Sequence, residues 1–304
     1  MSMLSVVLPA YNEEEMLLKT ASTLKEILSD EGISYQLVFV DDGSKDATWE
    51  KIKTAKENDP NITGVYFSRN FGKESAVFAG LANAKGDCVA VMDCDLQHPP
   101  ETLVEMYRLW EDGYEIVEGV KKSRGKESAF HRFSAGTFYN LMSRATKIDM
   151  SRASDFKLMD RKVVDTLLAM PEKNTFFRAM SSWVGFKSVQ VEFDVREREA
   201  GESKWSTRSL IKYAITNIAE YSSAPMQIIT GAGIVCLILS CLLILQLIIG
   251  LILGHTIGAA FAVILVVLLV GSFIMIGMGI IGYYLAEMYE EVKGRPRYII
   301  SKII

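Results

Sequence analysis

At 304 residues, 49% of them hydrophobic and 23% charged, the chain carries ample apolar material for a core and is neither disordered nor fibrous. Its length suits about two units, at roughly 150 residues each. Against 33 Lys and Arg stand 37 Asp and Glu, a formal charge of -4, which argues against a dedicated nucleic-acid binder with its net basic face.

From the first residues, apolar β-rich runs alternate with helical patterns. Residues 4–8, 36–40, 64–67, 88–92 and 116–119 read as strands. Residues 14–28, 47–58, 74–84 and 100–112 read as the helices between them, the last opened by Pro100 in its first turn. The strands are almost continuously apolar, as expected when helices cover both faces of a sheet. The predicted fold of the first part is therefore α/β, a doubly wound, mostly parallel sheet. Ligands of such sheets sit beyond the carboxyl ends of the strands.

Those ends are acidic. The first strand runs into Pro9-Ala10-Tyr11-Asn12-Glu13-Glu14, the second into Asp41-Asp42-Gly43-Ser44, the fourth into Asp93-Cys94-Asp95-Leu96-Gln97. One such turn alone is a capping Asp at a helix start. Three in one sheet imply a site, because clustered carboxylates repel unless something cationic joins them. Asp93 and Asp95 lie two apart on an extended segment and can point to the same side. With the Gln97 carbonyl they form an all-oxygen set suited to Mg²⁺ or Mn²⁺, the remaining ligands being water and a substrate diphosphate. His98 reads as a turn residue rather than a ligand. No G-x-x-x-x-G-K-[ST] and no G-x-G-x-x-G follows a strand, which disfavours a P-loop ATPase or a dehydrogenase. What is left is a nucleotide-sugar site.

Beyond the first domain the composition changes. Residues 226–286 contain no Asp, Glu, Lys or Arg. The stretches 226–253 and 259–285 are each long enough to cross a hydrocarbon core, which needs about 20 apolar residues. Gly254-His255-Thr256-Ile257-Gly258 separates them, so they read as a transmembrane hairpin rather than a buried helix pair, which would show a polar face. Lys204, Arg208 and Lys212 precede the first stretch, and Lys293, Arg295 and Arg297 follow the second, while the connector has no basic residue. Both termini are then expected in the cytoplasm. Met1–Val7 lacks the pattern of a signal peptide. Residues 206–224 form an amphipathic juxtamembrane segment, lying in the membrane interface or packed on the soluble domain. The expected organisation is a soluble domain over 1–205, that segment, two spans within 225–286, and a cytoplasmic tail over 287–304. The four cysteines show no metal or redox spacing and read as apolar filler in a reducing compartment.

The blocks Val7-Leu8-Pro9-Ala10-Tyr11-Asn12-Glu13-Glu14, Val40-Asp41-Asp42-Gly43-Ser44 and Met92-Asp93-Cys94-Asp95-Leu96-Gln97-His98-Pro99-Pro100 resemble the signatures of family 2 inverting glycosyltransferases with the GT-A fold. Asp155-Phe156-Lys157-Leu158-Met159-Asp160-Arg161, then Arg198 with Gly201-Glu202-Ser203-Lys204-Trp205, and the apolar tail are similar to polyprenyl-phosphate glycosyltransferases. Ser68-Arg69-Asn70-Phe71-Gly72-Lys73-Glu74 and Val292-Lys293-Gly294-Arg295-Pro296-Arg297-Tyr298 look most like the bactoprenol glucosyltransferase branch.

The resemblance implies that Pro9, Tyr11, Glu13 and Asp42 hold the nucleoside with Asp41 beside them. Asp93, Asp95 and Gln97 would hold the metal, Asp93 also facing the nucleotide sugar. Lys121 and Arg132 match positions that hold the lipid phosphate, though Lys121 stands where an Arg is found in the mannose branch and lacks its bidentate geometry. As bare residues, Lys121-Lys122-Ser123-Arg124 also reads as a solvated basic stretch. Arg198, Ser203 and Lys204 match a mobile loop that closes on the diphosphate.

The implied reaction moves a hexose, glucose from UDP-glucose, to undecaprenyl phosphate at the cytoplasmic membrane face. Arg198, Lys204 and the metal would stabilise charge on the departing diphosphate. Asp155 is the third catalytic candidate, as an orienting group or a weak base, with a structural role as its alternative. A mannose synthase using GDP-mannose, or a non-catalytic membrane scaffold, are the competing readings. A processive synthase would carry a Gln-x-x-Arg-Trp block, which is absent, and a flippase would carry ionisable groups in its spans. A homo-oligomer is expected on family grounds.

Overall fold

A computed structural model of the chain describes residues 2–122, 154–170, 176–194, 245 and 259–304. The chain divides into two compact units, Met1–Ser206 together with Pro296–Ile304, and Thr207–Arg295.

The first unit opens with β1 (Met3–Ala10), α1 (Leu17–Asp30), β2 (Ser34–Asp41), α2 (Thr48–Asn58), β3 (Ile62–Phe67), α3 (Lys73–Asn83), β4 (Cys88–Val91), α4 (Pro100–Glu111) and β5 (Ile116–Lys121). All nine elements fall where the periodicity predicts them. The largest difference lies at α1, expected from residue 14. There the Glu13 carbonyl accepts hydrogen bonds from the Met16 and Leu17 amides, and a turn precedes the helix. After these come β6 (Lys157–Asp160), α5 (Arg161–Ala169), α6 (Phe177–Trp183), β7 (Ser188–Phe193) and β8 (Ile300–Ile303), none of which periodicity predicted.

The eight described strands form one sheet in the order β7-β5-β6-β4-β1-β2-β3-β8. Neighbours β4, β1, β2 and β3 are parallel, as are β5 and β7. Strand β6 runs antiparallel to both β4 and β5, and β8 antiparallel to β3. This mostly parallel α/β sheet is the architecture that the sequence leads one to expect.

Alternation along β1 explains its two covered faces. Leu4, Val6 and Leu8 join Leu24 and Leu28 of α1, Ile52 of α2 and Met106 of α4 in one apolar core. Val7 points the other way, onto Gly80 of α3, where any Cβ would clash. Each fully buried Leu or Phe contributes about 2 kcal/mol by leaving water.

The topology decides what gathers at one edge. Strands β1, β2 and β4 end there with Ala10, Asp41 and Val91. Because β6 is antiparallel, its first residue, Lys157, pairs with Val91, so Asp155 arrives at the same edge. For the same reason Ile300 of β8 pairs with Phe67, the last residue of β3.

The second unit contains α7 (Ala259–Val292), a continuous helix of 34 residues without Asp, Glu, Lys or Arg through residue 286. Among the described residues no helix is long and apolar enough to cross a membrane. The stretch 226–253, except residue 245, and the juxtamembrane segment 206–224 lie outside the described residues.

Candidate active site

The loops after β1 and β2 are knotted together by short hydrogen bonds. Asn12, in the left-handed region at φ 55°, donates its amide to Ser44 Oγ at 2.9 Å, and its Oδ1 accepts the Lys45 amide at 2.9 Å. The Glu13 amide donates to Thr48 Oγ1 at 2.8 Å, and Glu14 Oε2 accepts the Ala47 amide at 2.9 Å. Pro9 and Ala10 pair in register with Val40 and Asp41. Pro9, Tyr11, Glu13, Asp41 and Asp42 are therefore brought together.

The two aspartates of the second strand end have different tasks. Asp41 Oδ1 accepts the Ser44 amide at 2.8 Å, while its Oδ2 is buried and has no hydrogen-bond partner among the described residues. Burial pushes its carboxyl up from the ordinary value. Asp42 accepts the amides of Phe71 at 2.6 Å and Gly72 at 2.9 Å, and so holds the loop that leads into α3. Gly43 makes the approach possible. At φ 67° a Cβ there would lie 2.5 Å from the Arg69 carbonyl carbon.

At the end of β4 the chain makes a tight turn through Leu96, at φ 55°, a conformation that disfavours a side chain. Asp95 Oδ1 accepts the Gln97 amide at 3.1 Å, fixing the turn. His98 is buried, stacked on Phe156 at 4.7 Å between ring centroids and edge-on to Phe193 at 5.5 Å. The Asp93 amide points to its Nδ1 at 3.4 Å. His98 thus braces the backbone of the acidic turn. Cys94 is buried, its thiol pushed up by burial, and it is a poor match for a hard cation in any case.

An ion network joins this turn to the rest of the edge. The Lys73 ammonium lies 2.6 Å from Asp93 Oδ1 and 3.1 Å from Asp155 Oδ2. Arg178 of α6 grips Asp155 with both arms, Nε to Oδ1 at 2.6 Å and a terminal nitrogen to Oδ2 at 2.7 Å. Burial alone would raise the Asp155 carboxyl, but Lys73 and Arg178 outweigh it and hold the group well below its ordinary value. Burial likewise opposes the charge on Lys73, and Asp93 and Asp155 outweigh it, raising the ammonium. Glu74 accepts the Phe177 amide at 3.0 Å, and burial followed by the Asp155 charge raises it to about 7. Beneath the network, buried Lys157 pairs with Glu118 at 2.9 Å and donates to Ser181 Oγ at 2.8 Å.

Asp93, Asp95, Gln97 and Asp155 thus share one edge, and Lys121 ends β5 on that edge, exposed. Arg132, Arg198, Ser203 and Lys204 lie outside the described residues. Among the described residues no three His, Cys, Asp or Glu are grouped to hold a metal. Two carboxylates and an amide carbonyl nevertheless form an oxygen-only set, and Lys73 already holds a cation against Asp93. That chemistry fits a hard divalent ion completed by water and substrate. Sequence reasoning missed Lys73 and Arg178 as site residues. Lys73 was visible only as a letter in the Phe71-Gly72-Lys73-Glu74 block, and nothing local marks Arg178.

Comparison with known proteins gives the family and the fold. The sequence model described as Glycosyl transferase family 2 matches residues 5–168. The uncharacterized glycosyltransferase YkcC of Bacillus subtilis (strain 168) is 39% identical over 300 residues, covering 98% of this chain and 93% of that one. A prophage bactoprenol glucosyl transferase homolog of Escherichia coli (strain K12) is 35% identical over 306 residues, covering 99% of each chain. The bactoprenol glucosyl transferase of Shigella phage SfII is 35% identical over 302 residues, covering 98% and 97%. Among solved structures, mannosyl-3-phosphoglycerate synthase from Rubrobacter xylanophilus is similar in fold, with a TM-score of 0.51 at 15% identity over 72% of this chain and 73% of that one.

Proposed function

The chain belongs to glycosyl transferase family 2, and we propose that this glycosyltransferase moves glucose from UDP-glucose to a polyprenyl phosphate, undecaprenyl phosphate, with inversion at the anomeric carbon. One observation carries the reading. The similarity to bactoprenol glucosyl transferases runs the length of the chain, through the apolar second unit as well as the acidic sheet edge.

An oxygen of the lipid phosphate attacks the anomeric carbon as the bond from that carbon to the nucleoside diphosphate breaks, and the electron pair leaves with the diphosphate. The acceptor's second pKa is about 6, so the attacking oxygen is ionised near neutrality and needs no strong base. Asp155, its charge locked between Lys73 and Arg178, suits an orienting role. The unsatisfied Oδ2 of Asp41 and the Tyr11 and Glu13 loop beside it are assigned to the nucleoside, with Pro9 and Asp42 framing them. Asp93, Asp95 and Gln97 would hold Mg²⁺ or Mn²⁺, which when bound neutralises charge on the leaving diphosphate. Arg198, Ser203 and Lys204 are assigned to the same diphosphate, and Lys121 with Arg132 to the lipid phosphate.

The acceptor's hydrocarbon tail requires a membrane. We place the apolar stretches 226–253 and 259–285 across it, with the catalytic unit and both termini on the cytoplasmic side. What supports the placement is the sequence: the second stretch, within α7, carries no charged residue through position 286.

The test uses the full chain in detergent with Mg²⁺ or Mn²⁺, a short polyprenyl phosphate, and labelled UDP-glucose or GDP-mannose in parallel. Lipid-linked glucose, lost in Asp95→Ala, is the expected result. Product from GDP-mannose alone would move the chain to the mannose branch. Absence of nucleotide binding by the wild type would leave a membrane scaffold that keeps the fold.

A further inference from the structure

We propose that residues 296–304 are a clasp on the donor side of the active site, with Arg297 and Tyr298 as positioning residues for the loop that carries Lys73. The inference rests on the glycosyl-transfer reading of that site. It concerns nine residues that return to the first unit after the whole of the second.

Strand β8 joins the sheet through Val65 opposite Ile303, Tyr66 opposite Lys302 and Phe67 opposite Ile300. Gly64 and Ile304 exchange amide–carbonyl bonds at 3.1 and 2.9 Å, and the Ser68 amide donates to the Ile299 carbonyl at 3.0 Å. The pairing thus ends where the loop to α3 begins.

Two side chains then extend the hold past the strand. Tyr298 stacks on Phe67, 5.1 Å between centroids and 9° from parallel, and Phe67 meets Phe71 edge-on at 5.7 Å. The Arg297 guanidinium lies 4.7 Å from the centre of the Phe78 ring and donates to the Met170 carbonyl at 2.8 Å. The Arg297 carbonyl accepts from Ser75 Oγ at 3.3 Å.

Through Phe67, Ser68, Phe71 and Ser75 these contacts bear on the segment 67–75, while the Arg297 guanidinium anchors the clasp beside it on Phe78 and Met170. Phe71 and Gly72 supply both amides on Asp42, and Lys73 supplies the cation between Asp93 and Asp155. Gly72, at φ 100°, takes a backbone conformation open to glycine immediately before Lys73. The loop is held on two sides. Asp42 fixes it from below, and the Tyr298–Phe67–Phe71 stack fixes it from the side.

The experiment compares wild type, Tyr298→Phe, Tyr298→Ala and Arg297→Ala in the full chain by two readouts. The first is amide hydrogen exchange across 67–75 without ligand. The second is the KM for UDP-glucose and, separately, for polyprenyl phosphate. Tyr298→Ala is expected to speed exchange at Phe71 and Gly72 by about tenfold or more and to raise the donor KM several-fold, with the acceptor KM unchanged. Tyr298→Phe, which keeps the ring, should behave as wild type. Arg297→Ala leaves the stack in place and keeps the comparison readable should Tyr298→Ala fail to fold; it should shift both readouts in the same direction by less. Unchanged exchange overturns the clasp, and faster exchange with an unchanged donor KM overturns its positioning role. If the wild type turns over no donor, the functional reading has failed; faster exchange in Tyr298→Ala would then still support the clasp, and unchanged exchange would overturn it.

Discussion

The two ends of the acidic edge stabilise their carboxylates by different means. At the end of β2, Asp42 is held by two backbone amides, neutral donors fixed in the fold. At the ends of β4 and β6, Asp93 and Asp155 are held by the charged side chains of Lys73 and Arg178. Backbone donors cannot be exchanged for a substrate without unfolding the loop. An ammonium on a four-carbon stem can be moved aside by another cation or turned toward an incoming diphosphate. The first end is built to stay as it is, the second to change partners.

The sharpest way to break that contrast is to remove the shared anion. Asp155→Ala leaves Lys73 and Arg178 facing one another without their common carboxylate. Removing one partner of a buried pair costs about 3 kcal/mol, less where water reaches the survivors, as it does here. We expect transfer to fall by about 100-fold or more and the melting temperature to drop, with the stability loss partly relieved by added salt. Transfer at wild-type rates would show that the network is ornamental.

A smaller effect comes from pH. Glu74 is raised to about 7, by burial first and the Asp155 charge second. In the unfolded chain the same carboxyl ionises near roughly 4.3. The folded protein therefore binds the additional proton between those values. The stabilisation is complete below the unfolded value and is lost as pH rises through about 7. Thermal unfolding followed from pH 5 to 8 should show stability falling, and Glu74→Gln should flatten that slope. An unaltered slope in the variant would assign the effect elsewhere.

The smallest change is expected at the amide-held end. Asp42→Asn keeps an acceptor for only one of the two amides and should cost about 1–2 kcal/mol of local stability. The donor KM should rise about tenfold or less. Because its partners are backbone amides, the defect should respond little to salt, in contrast to Asp155→Ala. A strong salt response would show that the two ends do not differ as described.

The first half of the fold was legible because its signals are local. The near-continuous apolar runs at 4–8 and 36–40 and the helical spacing of Leu17, Ala21, Leu24 and Leu28 need no partner to be recognised. The acidic strand ends were legible for the same reason. Strand β6 was not, since four residues beginning with a lysine do not look like the centre of a sheet. Lys157 is buried there only because Glu118 and Ser181, distant in sequence, satisfy its charge. Arg178 reaches Asp155 across 23 positions, and Lys73 reaches it across 82. Ile300–Ile303 read as part of a tail because its partner, β3, lies before the whole apolar stretch.

That last pairing also sets an order of events in biosynthesis. Ser75 and Arg297 are 222 positions apart, so the hydrogen bond between them cannot form until everything between has been translated. Contacts of such separation are late and slow in folding. A nascent chain arrested anywhere in 207–295 would already hold every acidic residue of the edge, yet its β3 flank would be bare and its Lys73 loop unclasped. Competence for the proposed transfer would then wait until residues 296–304 have been made.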